Sequence, residues 1–212
     1  LTFLTKSNRF IWSSERSGYR HLYLFDLKGD LLYPITSGPW GVNSVKGVDE
    51  KKGLVYFDAS VESPLEKHLY AAPLDGSGIR DGVRRITKRE GWHEVAVPKD
   101  CCKYFVDRFS DPMMPPNTAL FSVSGKQLTW LAENRLDVTH PLWPYHGSLQ
   151  APEFGTLAAE DGTELHYQIF KPADFDPAKK YPLVFVVHGG PTWFSAETLL
   201  TNVEDRGYYP TV

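Results

Sequence analysis

The sequence predicts a mainly β protein: about three four-stranded blades of a β-propeller, followed by the opening of an α/β domain. Three observations point there. Glycine and proline, 17 and 16 of 212 residues, punctuate the chain with turns. Aromatic residues reach 14%, and such side chains suit a pleated sheet better than a helix. A strand-rich unit also recurs with a period near 50 residues.

The repeat shows in three segments. Leu22-Tyr23-Leu24-Phe25-Asp26-Leu27-Lys28-Gly29, Leu69-Tyr70-Ala71-Ala72-Pro73-Leu74-Asp75-Gly76 and Leu120-Phe121-Ser122-Val123-Ser124-Gly125 start 47 and 51 residues apart. Pro34-Ile35-Thr36 returns as Arg85-Ile86-Thr87, and Gly38-Pro39-Trp40 is echoed by Gly91-Trp92. In the first unit, residues 9–12, 20–27 and 31–36 read as strands, with a turn at Lys28-Gly29-Asp30. Leu22, Leu24 and Asp26 lie on one strand face and Tyr23, Phe25 and Leu27 on the other. Both faces carry apolar residues, so each sheet needs a neighbour on either side. Four short strands per 50 residues match a propeller blade, and stacked blades bury what one blade alone cannot. A β-sandwich with coincidental spacing is the alternative. Three blades take the chain from Leu1 to about Leu136.

Residues 137–150 hold Pro141 and Pro144, with His140, Trp143 and Tyr145 around them. Proline pushes the preceding residue out of the helical region, so an extended linker or strap is expected. Residues 151–212 read as the truncated start of a second domain. A hairpin is expected over residues 154–170 about Asp161-Gly162, a strong hairpin dipeptide. Residues 172–182 form a proline-punctuated loop. Leu183-Val184-Phe185-Val186-Val187 lacks alternation, as a strand buried on both faces does. It runs into His188-Gly189-Gly190-Pro191. A helix is expected from Ser195 to Arg206, with Leu199, Leu200 and Val203 on one face, and Gly207 ends it. Tyr208-Tyr209 begins a further strand.

Buried strand, Gly-Gly turn and helix are the layout of the β3–αA loop in α/β-hydrolases, where backbone N–H groups bind the oxyanion of acyl transfer. Glycine lets the backbone approach a substrate oxygen closely. His188, Gly189 and Gly190 are therefore the oxyanion-hole candidates. No G-x-S-x-G occurs in the 212 residues, so none of the Ser-Asp-His triad is present.

Through Ser17-Gly18-Tyr19-Arg20-His21-Leu22-Tyr23, Ile35-Thr36 and Trp40, then Asp176-Pro177-Ala178-Lys179-Lys180-Tyr181-Pro182 and Gly189-Gly190-Pro191, the chain resembles prolyl oligopeptidase family serine peptidases of the dipeptidyl peptidase IV-like branch. The resemblance implies an internal fragment: the last propeller blades joined to the start of a hydrolase domain. It implies a parent that removes N-terminal dipeptides from a peptide substrate by a Ser-Asp-His triad. It further implies that the fragment is inactive alone and that the parent is periplasmic or extracellular. In this branch a tyrosine stands at position 188; here His188 does, and acylaminoacyl peptidases share His-Gly-Gly-Pro. An acylaminoacyl-peptidase-like or oligopeptidase-like hydrolase is thus one alternative. Another is a non-catalytic binding propeller using Trp40, Trp92, Trp143 and Tyr145.

Other classes are excluded or unsupported. With 23 Lys plus Arg against 26 Asp plus Glu, no basic footprint suggests nucleic acid. The longest purely apolar run, residues 183–187, is far too short for a membrane span. His21, His68, His93, His140, His146 and His166 lack metal-ligand spacing and read as surface or strand residues, so no metal or cofactor is called for. Cys101 and Cys102, being adjacent, are expected as ordinary strand residues rather than a strained bridge. Asp49-Glu50-Lys51-Lys52-Gly53 reads as a solvated turn. The chain lacks an initiator Met, which suggests a piece of something longer. Open blade faces predict self-association.

Overall fold

The structure, a computed structural model, describes residues 1–98 and 102–186. Leu1–Phe109 and Asn117–Glu133 form one unit; Ser110–Pro116 and the chain from Asn134 form another.

Three four-stranded sheets follow one another along the chain. The first holds β1 (Thr2–Leu4), β2 (Arg9–Ser14), β3 (His21–Asp26) and β4 (Leu31–Pro34), paired in that order. The second holds β5 (Val42–Asp49), β6 (Leu54–Ala59), β7 (His68–Pro73) and β8 (Arg84–Arg85), and a single helical turn, α1 (Gly78–Asp81), interrupts its last hairpin. The third holds β9 (Trp92–Ala96), β10 (Tyr104–Asp111), β11 (Met114–Ser122) and β12 (Gln127–Ala132). Each sheet is a sequential meander, with β1–β2, β2–β3, β6–β7 and β11–β12 paired antiparallel. The chain is mainly β, with the blade architecture that the repeat predicts, and three stacked sheets are not a two-sheet sandwich.

The second blade shows why the repeat matters. Val55, Phe57, Tyr70 and Ala72 on one face are buried with Leu22, Leu24 and Ile35 of the first blade. Tyr56, Leu69 and Ala71 on the other face are buried with Val95 and Phe105 of the third. Alternation along β6 and β7 thus feeds two cores, and each fully buried Leu or Phe contributes roughly 1.5–3 kcal/mol. The blades touch closely at their outer hairpins. Gly76, at φ +80°, leaves no room for a Cβ, which would lie 2.9 Å from the Tyr33 ring. Gly125, at φ +87°, presses likewise against the Ile86 carbonyl of the preceding blade. Glycine meets both demands, a left-handed φ and no side chain.

Cys102 is buried and disulfide-bonded, which corrects the expectation of an ordinary strand thiol. It lies in a bend ahead of β10; its sequence neighbour lies outside the described residues.

In the second unit, β13 (Glu153–Ala158) and β14 (Glu164–Ile169) form the expected hairpin, in register from Glu153↔Ile169 to Ala158↔Glu164. Gly162 takes φ +83° in its turn, where the Ala159 amide donates to the Thr163 carbonyl at 2.8 Å. Two expectations are corrected. Trp143–Ser148 is a 3₁₀ helix, not an extended strap. Pro144 sits in its first turn, where a missing N–H costs nothing. Leu183, Val184, Phe185 and Val186 form no strand and are 58–81% exposed. A strand buried on both faces needs ladder partners and covering helices, and the described residues supply neither. The expected helix at 195–206 and strand at 208–209 lie outside the described residues.

Candidate functional site

The densest polar chemistry among the described residues is a set of buried histidines at blade ends. His21 opens β3 and His68 opens β7, at the same place in two successive blades. Thr36 Oγ1 accepts the Leu22 amide at 3.0 Å and lies 3.1 Å from His21 Nδ1. Thr87 Oγ1 repeats this with the Leu69 amide at 3.1 Å and His68 Nδ1 at 3.0 Å. His21 Nε2 donates to the Gly38 carbonyl at 3.0 Å, and His68 Nε2 to Glu66 Oε2 at 2.8 Å. A carbonyl or carboxylate only accepts, so both rings carry their proton on Nε2 and take the threonine hydroxyl proton at Nδ1. Burial lowers the His21 pKa, partly offset by its bond to Gly38. His68 is pushed down to about 3 by burial, then by His93 and Arg85.

His93 on β9 is the third member. Its Nδ1 lies 2.6 Å from Asp107 Oδ2, and its Nε2 donates to the Arg89 carbonyl at 3.0 Å. Burial raises the Asp107 pKa against the opposing bond from His93. These three histidines are therefore strand residues, but none is a surface one. Among the described residues no three His, Cys, Asp or Glu side chains gather as a metal site. His140 Nδ1 accepts the Leu142 amide, His146 stacks on Trp143 at 4.0 Å between ring centroids, and His166 lies exposed on β14.

The aromatic residues offered for partner binding divide. Trp40 stands edge-on to His21 at 4.9 Å and stacks on Phe57, while Trp92 is buried beneath Lys67 at 4.4 Å. Both are occupied in packing between blades. Trp143 is occupied by His146, which leaves Tyr145 exposed. The turn at residues 49–53 is not merely solvated. Glu50 accepts the Thr5 amide at 2.7 Å and the Lys6 amide at 3.1 Å, which ties the second blade to the first. A cleft of about 550 Å³ opens beside this tie, between Tyr33, Arg9, Lys52 and Pro73. No residue singled out as a catalytic candidate lines it. His188, Gly189 and Gly190 lie outside the described residues.

The blade series is what known proteins share with this chain. Residues 1–116 match the family model for the N-terminal region of dipeptidyl peptidase IV. The chain belongs to the dipeptidyl peptidase IV family. Its similarity to human dipeptidyl peptidase 8 is 32% identity over 86% of this chain and 23% of that protein. A probable dipeptidyl-aminopeptidase B of Tuber melanosporum is 33% identical over 82% of this chain and 19% of its own length. Among solved structures, Porphyromonas gingivalis dipeptidyl peptidase 4 aligns with a TM-score of 0.78 and 28% identity, covering 93% of this chain and 27% of that one. A putative dipeptidyl aminopeptidase IV of Bacteroides ovatus aligns at 0.72 with 29% identity, covering 93% and 29%. The chain thus spans less than a third of the length of these relatives.

The buried locks escaped the sequence reading although a signal was present. His-Leu-Tyr stands at 21–23 and again at 68–70, and Ile-Thr at 35–36 and 86–87. Pairing those two recurrences would have found both His–Thr contacts. Nothing comparable announces His93 with Asp107, which occur together once.

Proposed function

We propose that the whole protein is a serine-type dipeptidyl peptidase that removes dipeptides from peptide N-termini. The match of residues 1–116 to the family's N-terminal region carries this reading. In it, residues 1–136 are C-terminal propeller blades, 137–150 a linker and 151–212 the beginning of the α/β-hydrolase domain. The apolar run into His188-Gly189-Gly190-Pro191 supports an oxyanion role for that segment. Charge develops on the acyl oxygen in the transition state, and fixed N–H donors stabilise it without reorganising. The chain by itself carries no G-x-S-x-G and generates no oxyanion. A periplasmic or extracellular setting and self-association of the isolated chain complete the proposal. Among the described residues no helix is long and apolar enough to cross a membrane.

The test uses the full-length protein with dipeptidyl and acyl-aminoacyl amide substrates. Release of N-terminal dipeptides supports the reading. Release from blocked N-termini alone moves the protein to the acylaminoacyl class, and no release from either overturns it. His188→Ala then separates donors: kcat down about 100-fold with KM little changed assigns the ring, since only the transition state lost a partner. Unchanged kcat assigns the glycine amides.

A further inference from the structure

Two buried histidines face each other across the seam between the second and third blades. The rings of His68, on β7, and His93, on β9, lie 4.9 Å apart between centroids, and both are buried. At this seam the two backbones also bond directly, the His93 amide donating to the Lys67 carbonyl at 3.0 Å. Charged groups lie beside both rings. Glu66 accepts from His68, and Arg85 of β8 lies 4.0 Å from Glu66. Glu62 accepts the Tyr70 hydroxyl, and Asp107 of β10 backs His93. Lys67 and Glu94 act on Asp107 with opposite signs. The buried Asp107 Oδ1 has no hydrogen-bond partner among the described residues.

Counting protons shows what the seam tolerates. His68 is neutral, since Nε2 gives its proton to Glu66 and Nδ1 receives that of Thr87. His93 Nε2 donates to Arg89, so a single proton lies between His93 Nδ1 and Asp107. Any further proton, on His68 Nδ1 or Asp107 Oδ1, adds buried positive charge between two blades. Protonating His68 also turns a ring toward its neighbour as a cation and strips the Thr87 hydroxyl of its acceptor. The seam between the first and second blades has no such arrangement. There Val42 donates to the Arg20 carbonyl at 2.8 Å in the place where His93 donates to Lys67, and His21 faces the Trp40 ring.

We propose that the seam between blades 2 and 3 is an acid-operated latch, closed at neutral pH and released by protonation at His68 while the seam between blades 1 and 2 stays shut. Its sign follows from linkage. Closed, His68 is held down to about 3; opened, it returns to the ordinary imidazole value of about 6.5. Between those values the open form binds one more proton, so the latch holds above about pH 6.5 and weakens up to tenfold per pH unit below it.

Amide hydrogen exchange on the 212-residue chain at pH 7 and pH 5, corrected for intrinsic rates, tests the latch. Protection of the His93 amide falls at least about tenfold more than that of the Val42 amide. His68 Nδ1 stays unprotonated by ¹⁵N chemical shift while the seam is closed. Parallel loss at both amides, no loss at either, or a His68 ring titrating near its ordinary value overturns the proposal. His68→Gln, which takes no proton, removes the extra loss at His93. Should that variant not fold, the unsubstituted chain followed in half-unit steps from pH 7 to pH 5 keeps the test: the extra loss at His93 sets in near the ordinary imidazole value of about 6.5, and a ratio of the two protections that stays constant over that range overturns the latch.

Discussion

The two seams between blades are built at the same positions from opposite materials. Between blades 1 and 2, Val42 and Phe57 lie with Leu22, Leu24 and Ile35, and Trp40 stacks on Phe57. The one histidine there, His21, closes on a threonine and a backbone carbonyl. Between blades 2 and 3, His93 stands where Val42 does, backed by Asp107, and Glu66 replaces the carbonyl as the partner of the equivalent histidine. The difference teaches that a propeller repeat specifies backbone bonds and strand faces, not the chemistry between blades. A mainly apolar seam with one buried histidine depends less on pH, whereas a seam with two facing histidines and a buried carboxylate couples its strength to the proton more strongly.

Substitutions in each seam probe that contrast. Phe57→Ala has the largest expected effect, about 3–5 kcal/mol in urea unfolding, because it empties a fully buried site and takes the stacking partner from Trp40. A loss below about 1 kcal/mol would show that the dry seam is not the stronger one. Asp107→Ala comes next, at about 2–3 kcal/mol, since His93 Nδ1 is left buried without its acceptor. That cost is expected to change with pH, whereas the cost of Phe57→Ala is not; unfolding at pH 7 and pH 5 compares them.

Thr36→Val and Thr87→Val sharpen the comparison further. Each removes one hydroxyl that serves a histidine and a backbone amide, at a cost of about 1–3 kcal/mol. Thr87→Val is expected to be the more acid-sensitive, because its histidine faces a second ring and an arginine. Equal acid sensitivity would mean that the neighbours of His68 do not matter. Arg16→Ala is the smallest, about 0.5–1 kcal/mol by thermal melting, for an exposed guanidinium 4.7 Å above the Tyr23 ring.

Much of this is legible in the amino-acid order alone. Leu22, Leu69 and the turn glycines Gly29, Gly76 and Gly125 mark equivalent places in three blades, and alternation around Leu24 and Tyr23 placed apolar residues on both faces. The hairpin about Asp161-Gly162 was equally plain. Residues 183–186 were not, because an apolar run names a wish to be buried and not the partners that bury it. Pro144 misled in a similar way: proline breaks a helix interior but is welcome in a first turn.

Period, strand faces and turn positions lay in the amino-acid order because they depend on neighbours two to fifty residues apart that repeat. The union of His68 with His93, and of Glu50 with the Thr5 and Lys6 amides 45 and 44 residues away, depended on how whole sheets stack. Those contacts join side chains from separate blades, and no local pattern encodes a distance between sheets. The physical reason is burial itself: only when a second sheet excludes water do a shared proton and an unpartnered carboxylate oxygen acquire their energetic weight.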